Sequence, residues 1–475
     1  MTTASFRDPA GNVFLHQERV YRVINETGIA DFEKALSSAS LHRVLDSGRL
    51  VGASILSNGD ASAFRNAVGN LFVDNDQDAG LVAEHNKVPF QNYPYEWSPE
   101  MLHAAAQLTL ELQQDLLSEG LGVKDATPYN ILFQGHKPVF VDWLSFETRD
   151  PFDPVWLPQA QFVRTFILPL LVNKYFGIPL AQIFLGSRDG IEPEQVYEMC
   201  SVTRKVSSPF LTLVTLPNLL GRKSKQDPSL YKKHLLDDPE KATFILERQL
   251  KYLGKLLSKV RPDPQRTSEW AEYVGPNQHF TDEYLKTKHD FATDALSKYH
   301  PRTVLDIGCN TGYFSRLAAN SGASVVAVDL DQTSAGKVWQ MAVKEDLDIL
   351  PLVIDMARPT PATGWLNGEF PSFLHRVTGK MDCVMMFAVI HHMLVTERIP
   401  LGQIIRLASE LTTSTVIIEF VPPHDPMFKQ IARGNDALYD YLTKDMFETV
   451  CTRYFTIESS KKLADSDRWL YLLKK

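Results

Sequence analysis

The sequence predicts an α/β protein of more than one domain, with a doubly wound parallel sheet in its C-terminal half. The main observation is the stretch from Thr303 to Asp331, where an apolar strand, a turn with two glycines, a helical segment and a second apolar strand follow one another. This order is that of half a nucleotide-binding unit, in which a helix N-terminus faces the ligand. The length of 475 residues supports several domains, and a hydrophobic content of 44% suits globular cores.

The spacing of this stretch distinguishes two kinds of ligand. A dinucleotide site has the pattern G-x-G-x-x-G, which seats a pyrophosphate. Here Asp306 precedes Gly308, Asn310 and Gly312, and Asp329 ends the second strand. No glycine pattern that would seat a pyrophosphate follows, and Asn310 tolerates the left-handed backbone that glycine usually supplies. A carboxylate about 20 residues further on suits ribose hydroxyls.

Three later strands end in polar residues. The segments 352–355, 382–390 and 415–420 are apolar, and they end near Asp355, His391 with His392, and Glu419 respectively. Ligands of such sheets bind at the carboxyl ends of the strands, so these side chains belong to the predicted site. A histidine suits the role of general base for a hydroxyl, although it could equally cap a helix or pack against a cofactor. The segments 455–461 and 468–473 predict closing antiparallel strands.

The N-terminal region predicts an α+β fold. Residues 12–15 and 19–24 alternate as a β-hairpin, and 101–118 has the apolar spacing of an amphipathic helix with Ser98 as its cap. In the following stretch, Asp125 and Asn130 precede a short hairpin pattern that ends at Asp142. Such a hairpin would bring these three oxygen-bearing side chains together.

The C-terminal motif resembles motif I of class I S-adenosylmethionine (SAM) methyltransferases. The resemblance implies SAM as cofactor, with Asp306, Gly308, Asn310, Gly312, Asp329 and Asp355 as its binding residues. Asp355 would accept a hydrogen bond from the adenine amino group. A helix over 281–299 would cover the cofactor, so that Tyr284, Lys286 or Lys288 could reach the methionine carboxylate. His391, His392 and Glu419 are the catalytic candidates.

The N-terminal motif resembles the catalytic and metal loops of protein kinases and aminoglycoside phosphotransferases. The resemblance implies that Asp125 is the base, that Asn130 and Asp142 bind Mg²⁺, and that ATP is a ligand. The sequence departs from that family in lacking a G-x-G-x-x-G loop upstream and a lysine in a V-A-I-K-like strand. Arg22 is a candidate to replace that lysine. The alternative is that these are structural loops unrelated to kinases.

The whole chain resembles a bacterial family with an N-terminal kinase-like region and a C-terminal methyltransferase. The stretches NYPYEWSP, KDATPYN, VLDIGCNTGYFS, DMARPTPATGW and EFVPPHDPM carry this resemblance. Some members are rhizobial host-specific nodulation proteins, which implies a role in nodulation signalling. Bacterial O-antigen terminators combine the same two parts in the opposite order. We expect a kinase-like region over 1–261, with a small lobe to about 95 and a helical lobe after it, and a methyltransferase domain over 262–475.

Net charge and cysteine content indicate which kinds of partner and which cellular compartment suit the protein. A net charge of −8 without a long basic run argues against a large nucleic-acid-binding surface. The four cysteines are scattered, which argues for a reducing, cytoplasmic compartment and against a zinc site. The most apolar stretch, 162–185, contains two prolines and charged residues, so it predicts buried helices and no membrane span.

Three hypotheses follow. In the first, the protein is a SAM-dependent methyltransferase that methylates an oxygen of a small-molecule or glycan acceptor, and its N-terminal region recognises the substrate. In the second, it both phosphorylates and methylates a glycan. In the third, it is a non-catalytic module that binds SAM or ATP. The sequence leaves the acceptor and the oligomeric state open.

Overall fold

A computed structural model describes residues 2–5, 7–68, 80–224, 234–268 and 281–475. The chain divides into two compact units. The first unit consists of Met1–Pro264 with Gly364–Phe370, and the second consists of Gln265–Thr363 with Pro371–Lys475. Within the described ranges, no helix has both the length and the apolar character that crossing a membrane requires.

The first unit begins with a five-stranded antiparallel sheet. Its strands are β1 (Thr2–Ser5), β2 (Gly11–His16), β3 (Arg19–Ile24), β4 (Ala53–Ile55) and β5 (Leu81–His85). They lie in the order β1-β2-β3-β5-β4, with every neighbouring pair antiparallel. The predicted hairpin is confirmed as β2 and β3, with Phe14 opposite Tyr21. Its two turn residues, Gln17 and Glu18, have positive φ, as two-residue hairpin turns require.

Helices form most of the remainder of the first unit. They are α1 (Glu26–Leu36), α2 (Ala39–Asp46), α3 (Asn58–Val68), α4 (Pro99–Leu116), α5 (Gln159–Phe162), α6 (Leu168–Phe176), α7 (Leu180–Phe184), α8 (Pro193–Met199), α9 (Val202–Lys205), α10 (Leu216–Ser224) and α11 (Pro239–Lys259). The predicted amphipathic helix is confirmed as α4. The hydroxyl of Ser98 accepts a hydrogen bond from the backbone N–H of Met101, and Pro99 occupies the first helical position.

Two short antiparallel pairs follow α4. They are formed by β6 (Leu121–Val123), β7 (Ile131–Gln134), β8 (Lys137–Phe140) and β9 (Phe146–Thr148). β6 pairs with β9, and β7 pairs with β8 in a hairpin. This nesting brings the loop between β6 and β7 close to the loop between β8 and β9. The N-terminal region therefore has the predicted α+β class.

The second unit contains a seven-stranded mixed sheet. Its strands are β10 (Thr303–Ile307), β11 (Ser324–Asp329), β12 (Ile349–Val353), β13 (Met381–Met386), β14 (Thr412–Phe420), β15 (Thr456–Lys462) and β16 (Trp469–Lys474). They lie in the order β12-β11-β10-β13-β14-β16-β15. The first five in this order are parallel, and β16 runs antiparallel to β14 and β15. The predicted doubly wound sheet and its closing antiparallel strands are confirmed.

Helices alternate with the strands of this sheet. They are α12 (Asp282–Tyr299), α13 (Tyr313–Asn320), α14 (Gln332–Glu345), α15 (Phe373–Val377), α16 (Ile390–Val395), α17 (Leu401–Leu411), α18 (Pro426–Ala432) and α19 (Lys444–Cys451). Small and β-branched residues pack them closely: Ala292 of α12, Ala318 of α13 and Val338 of α14 share a buried core with Val304 and Ala327 of the sheet. Because β10 to β14 are parallel, their carboxyl ends meet at one edge of the sheet.

Candidate active site

A cavity of about 1700 Å³ lies at this edge of the second unit. Four of the predicted cofactor-binding residues line it, and each comes at or just after the end of a parallel strand: Gly308, Asn310, Asp329 and Asp355. Segments around α16 and α18 and residues 464–468 line other parts of the wall. The cavity therefore has room for a second ligand beside a nucleoside-sized one.

The turn after β10 has the conformation that its spacing predicts. Gly308, Asn310 and Gly312 all have positive φ, between +50° and +86°. A Cβ atom on Gly312 would lie 3.0 Å from the side chains of Val338 and Met341, so glycine is also needed there for close packing. The backbone N–H of Asn310 donates to Asp329 Oδ2 at 2.8 Å, which ties the turn to the end of β11.

Asp306 and Asp329 are carboxylates with raised pKa values. Burial raises the pKa of Asp306 to about 7, although Ser315 Oγ donates a 2.6 Å hydrogen bond to the carboxylate, which lowers the pKa. Burial likewise raises the pKa of Asp329 to about 6, although the backbone N–H groups of Asp331 and Asn310 donate to it. Low-dielectric surroundings disfavour a carboxylate charge, and a nearby cation would restore it.

Asp355 lies on the cavity wall after β12. Its Oδ1 accepts from the backbone N–H of Ala357 at 2.8 Å, and its Oδ2 pairs with Arg358 at 2.8 Å. Arg358 is also paired with Glu397, which lines the same cavity. These contacts fix the position of the carboxylate on the cavity wall.

The two adjacent histidines of α16 have different surroundings. His392 lines the cavity and is half-buried, and burial lowers its pKa to about 4. His391 is 0% exposed, and neither of its ring nitrogens has a hydrogen-bond partner in the structure. Burial places the pKa of His391 well below its ordinary value. Of the two, His392 is the histidine that an acceptor in the cavity could reach.

Glu419, the third predicted catalytic residue, lies in a buried charge cluster. Its Oε2 accepts from Lys288 Nζ at 2.7 Å, and its Oε1 accepts from Tyr284 Oη at 2.9 Å and from Arg468 Nη1 at 3.3 Å. Arg468 also binds both oxygens of Asp425, at 2.7 and 2.9 Å. Burial alone would raise the pKa of Glu419, but Lys288 and Arg468 hold it below its ordinary value. This arrangement suits a positioning role for Glu419 better than proton transfer.

The helix α12 contributes to this cluster and to the cavity. Tyr284 lines the cavity and donates to Glu419, whereas Lys288 is buried and paired with Glu419. Lys286 is exposed. Sequence reasoning did not single out Arg468 or Asp425, because the partners of each lie far away in sequence.

In the first unit, the predicted kinase-like residues are joined by hydrogen bonds. Asn130 Nδ2 donates to the backbone carbonyl of Asp125 at 3.0 Å and to Ser145 Oγ at 2.8 Å. Ser145 Oγ in turn donates to Asp142 Oδ2 at 2.6 Å. The structure thus brings Asp125, Asn130 and Asp142 together.

Arg22 lies against this group. Its Nη1 is 2.6 Å from Asp142 Oδ1, and the two side chains are 8% and 18% exposed. Burial would raise the pKa of Asp142, but Arg22 and Ser145 lower it. Burial and the charge of Asp142 raise the pKa of Asp125. Within the described ranges, no group of three or more His, Cys, Asp or Glu side chains is arranged to hold a metal.

Comparisons with known proteins agree with the geometry of the second unit. Residues 277–430 match the family model of a methyltransferase domain. Over 475 residues the chain is 28% identical to the nodulation protein NoeA of Rhizobium meliloti (strain 1021), an alignment that covers 99% of this chain and 95% of that protein. The chain is a SAM-dependent methyltransferase.

Two further relatives match shorter parts. A malonyl-[acyl-carrier protein] O-methyltransferase of Pseudescherichia vulneris is 35% identical over 98 residues, covering 18% of this chain and 39% of that enzyme. The O-antigen chain terminator bifunctional methyltransferase/kinase WbdD of Escherichia coli is 25% identical over 155 residues, covering 32% of this chain and 20% of that enzyme. The predicted resemblance to nodulation proteins and to SAM methyltransferases is confirmed.

The two raised carboxyl pKa values predict opposite effects of pH on SAM binding and on stability. As the pH falls below about 7 and then 6, Asp306 and Asp329 take up protons, so we expect the affinity for SAM to fall. The folded protein holds these protons to a higher pH than the unfolded chain does. Ionisation therefore lowers the stability of the SAM-free protein as the pH rises from about 4 through about 7.

Calorimetric titration of SAM from pH 5 to 8, with melting curves of the SAM-free protein over the same range, measures both effects. In Asp329→Asn the affinity for SAM is expected to be low and its pH dependence reduced. An affinity for wild type that stays constant from pH 5 to 8 would contradict the assignment of these carboxylates.

The buried cluster predicts a large loss of stability on changing Glu419. Glu419→Ala leaves Lys288 buried without its partner, so we expect a loss of about 3–5 kcal/mol in the free energy of unfolding. Glu410→Ala is the matched control, because Glu410 pairs with Arg406 at the surface and should contribute about 1 kcal/mol or less. Urea unfolding of both variants measures the difference, and equal losses would show that the cluster is not held by paired charges.

Proposed function

We propose that the protein transfers the methyl group of SAM to an oxygen atom of a small-molecule or glycan acceptor in a nodulation-related pathway. The observation that carries this proposal is the cavity of the second unit, which is lined both by the proposed donor-binding residues and by His392. The O-methyltransferase and the O-antigen terminator among the relatives support an oxygen acceptor and a glycan. Similarity to NoeA over the whole chain supports the nodulation role.

In the proposed complex, the turn after β10 and three carboxylates hold the donor. Asp329 accepts hydrogen bonds from the ribose hydroxyls, and Asp355 accepts one from the adenine amino group. Asp306 places negative charge beside the turn, where the ammonium end of the donor fits. Gly308 and Gly312 let the backbone approach the ligand closely. When bound, SAM supplies a methyl group that is already activated by a positively charged sulfur.

His392 is the proposed proton acceptor. Transfer breaks the sulfur–methyl bond, forms an oxygen–methyl bond and leaves a neutral thioether, while the acceptor's hydroxyl proton passes to His392. A pKa of about 4 keeps the imidazole neutral at pH 7, so it can accept a proton but is a weak base. Holding the acceptor oxygen near the methyl group therefore supplies much of the acceleration. Glu419 and Arg468 position Tyr284 and Asp425 on the cavity wall.

A second candidate function is phosphotransfer by the first unit. We propose that residues 1–261 form a kinase-like domain and that residues 262–475 form the methyltransferase domain. The hydrogen-bonded chain of Asp125, Asn130, Ser145 and Asp142 favours this function. Donation by Asn130 Nδ2 leaves its Oδ1 available, and Oδ1 and the Asp142 carboxylate are oxygen ligands that suit Mg²⁺. Asp125, whose pKa is raised by burial, would accept the proton of an acceptor hydroxyl.

Four buried, unpaired cysteines support a reducing, cytoplasmic location for the protein.

The test of the methyl-transfer proposal uses isotope-labelled SAM and cell extracts fractionated into oligosaccharides with glycolipids, RNA, protein and small metabolites. We expect label in the glycan or small-metabolite fraction, in a form that resists mild base as an ether does. Label confined to RNA or protein would reject the proposed acceptor class. Bound SAM without label in any fraction would favour a non-catalytic module.

The role of His392 is tested by comparison with its neighbour. We expect His392→Gln to lower kcat by about 10²-fold at most, the low end for loss of a general base because this imidazole is weakly basic, while the affinity for SAM stays unchanged. His391→Gln is the matched control, because the same substitution is made one residue away at a position that does not line the cavity. Equal effects of the two substitutions on kcat, with both proteins folded, would exclude His392 as the base.

The second candidate function predicts stabilisation by Mg²⁺ with ATP. We expect Mg²⁺-ATP to raise the melting temperature of the full chain, and Asp142→Ala to abolish the rise, because ligand binding to the folded state adds to stability. Glu111→Ala, at an exposed ion pair with Arg49, is the control that should keep the rise. A wild-type protein whose melting temperature does not change with Mg²⁺-ATP would reject phosphotransfer by this unit.

A further inference from the structure

Two arginines on the cavity wall of the second unit have no ion-pair partner within the described residues. Arg398 follows α16 and Arg433 follows α18, and both are exposed and line the cavity. The helices α16 and α18 are in contact. The hydroxyl of Tyr439, seven residues after the end of α18, donates to the backbone carbonyl of Leu394 on α16 at 3.5 Å. Both arginines therefore line the same cavity, on segments that follow neighbouring helices.

Four carboxylates that line the same cavity are bound to other groups. Glu397 binds both terminal nitrogens of Arg358, at 2.6 and 3.2 Å. Asp425 binds Arg468, and Asp467 binds Lys462 at 2.7 Å and His424 at 2.9 Å. Asp465 accepts a hydrogen bond from the hydroxyl of Thr281 at 2.9 Å. Three of these four carboxylates are thus paired with other cations, and no described carboxylate forms an ion pair with Arg398 or Arg433.

The backbone at these arginines has an uncommon conformation. Arg398 has φ +55° and Arg433 has φ +49°. Of the eleven described non-glycine residues with positive φ, five line this cavity: Asn310, Ala388, Arg398, Arg433 and Asp465. Left-handed conformations are unfavourable for residues with a Cβ, and they concentrate at binding sites, where the geometry needed for the ligand outweighs that cost. The concentration around this cavity indicates that the wall is shaped to hold a ligand.

We propose that the methyl acceptor carries an anionic group, a carboxylate or a phosphate, which Arg398 and Arg433 bind. Guanidinium groups bind both kinds of anion through paired hydrogen bonds, so the two share one recognition chemistry. The inference rests on the proposed function, since it concerns the acceptor of that reaction. The anionic group orients the acceptor, and the methylated oxygen lies at the His392 end of the cavity.

The test uses the full chain loaded with S-adenosylhomocysteine and three probes of similar size: benzoate, phenyl phosphate and benzyl alcohol. Their dissociation constants are measured by calorimetry or by ligand-observed NMR. We expect at least one anion to bind about tenfold or more tightly than the alcohol, because hydrogen bonds between charged groups are stronger than those to a neutral hydroxyl. The affinity of the anion should fall as salt is added. The tighter of the two anions distinguishes a carboxylate from a phosphate acceptor.

Substitutions of the two arginines test where the anionic probes bind. In Arg398→Gln with Arg433→Gln, the anion should bind no more tightly than benzyl alcohol, whereas affinity for S-adenosylhomocysteine stays unchanged. Arg453→Gln is the matched control, because Arg453 is exposed on the same unit and does not line the cavity. If the double variant does not fold, the dissociation constant of the anion is measured for Arg398→Gln and Arg433→Gln separately, and each should bind the anion more weakly than wild type does.

Two results would overturn the inference: benzyl alcohol binding as tightly as the anions, or anions binding the double variant as tightly as wild type. These measurements do not depend on turnover. Anion binding that requires both arginines, in a protein that transfers no methyl group, would support this inference while rejecting the proposed function.

Discussion

The cavity of the second unit depends on a buried cluster of paired charges. Lys288 on α12, Glu419 at the end of β14, Asp425 before α18 and Arg468 before β16 are all less than 9% exposed. Burial of an unpaired charge costs several kcal/mol, so no one of these elements can move away without leaving its partner unpaired. The cluster joins residues up to 184 positions apart in sequence, through Tyr284 and Arg468. It therefore fixes α12 and the start of α18 beside the sheet edge, and their positions define the cavity wall.

The donor end of the cavity has the opposite electrostatic character. The hydrogen bonds to Asp306 and Asp329 described here come from uncharged donors, namely Ser315 Oγ and the backbone N–H groups of Asn310 and Asp331. Burial makes ionisation of these groups unfavourable and raises their pKa values to about 7 and 6. A cationic ligand recovers that free energy on binding. This is a physical reason for the site to favour a donor with ammonium and sulfonium charges over a neutral nucleoside.

Features encoded within about 30 consecutive residues could be predicted from the sequence. The strand–turn–helix–strand order of residues 303–331, the hairpin of β2 and β3 and the helix α4 all follow from apolar spacing and turn residues. The grouping of Asp125, Asn130 and Asp142 also follows, because one hairpin separates them. The roles of Arg468 and Asp425 could not be predicted, since their partners lie on other elements and no spacing marks them. Glu419 was placed at the correct end of its strand, but its burial and pairing depend on those distant residues.

The sequence alone does not determine which of the adjacent residues His391 and His392 faces the cavity. Successive residues of an α-helix point about 100° apart, so one of the two faces the cavity and the other faces the interior. The phase of α16 is set by its packing, in which Ile390, Met393 and Leu394 are buried, and a helix of six residues is too short for apolar spacing to reveal that phase. The residue that faces the cavity, His392, is also the one with the less depressed pKa, because burial disfavours the imidazolium less there. Its remaining basicity is low, so the reaction rate should depend more on how the acceptor is held than on the strength of the base.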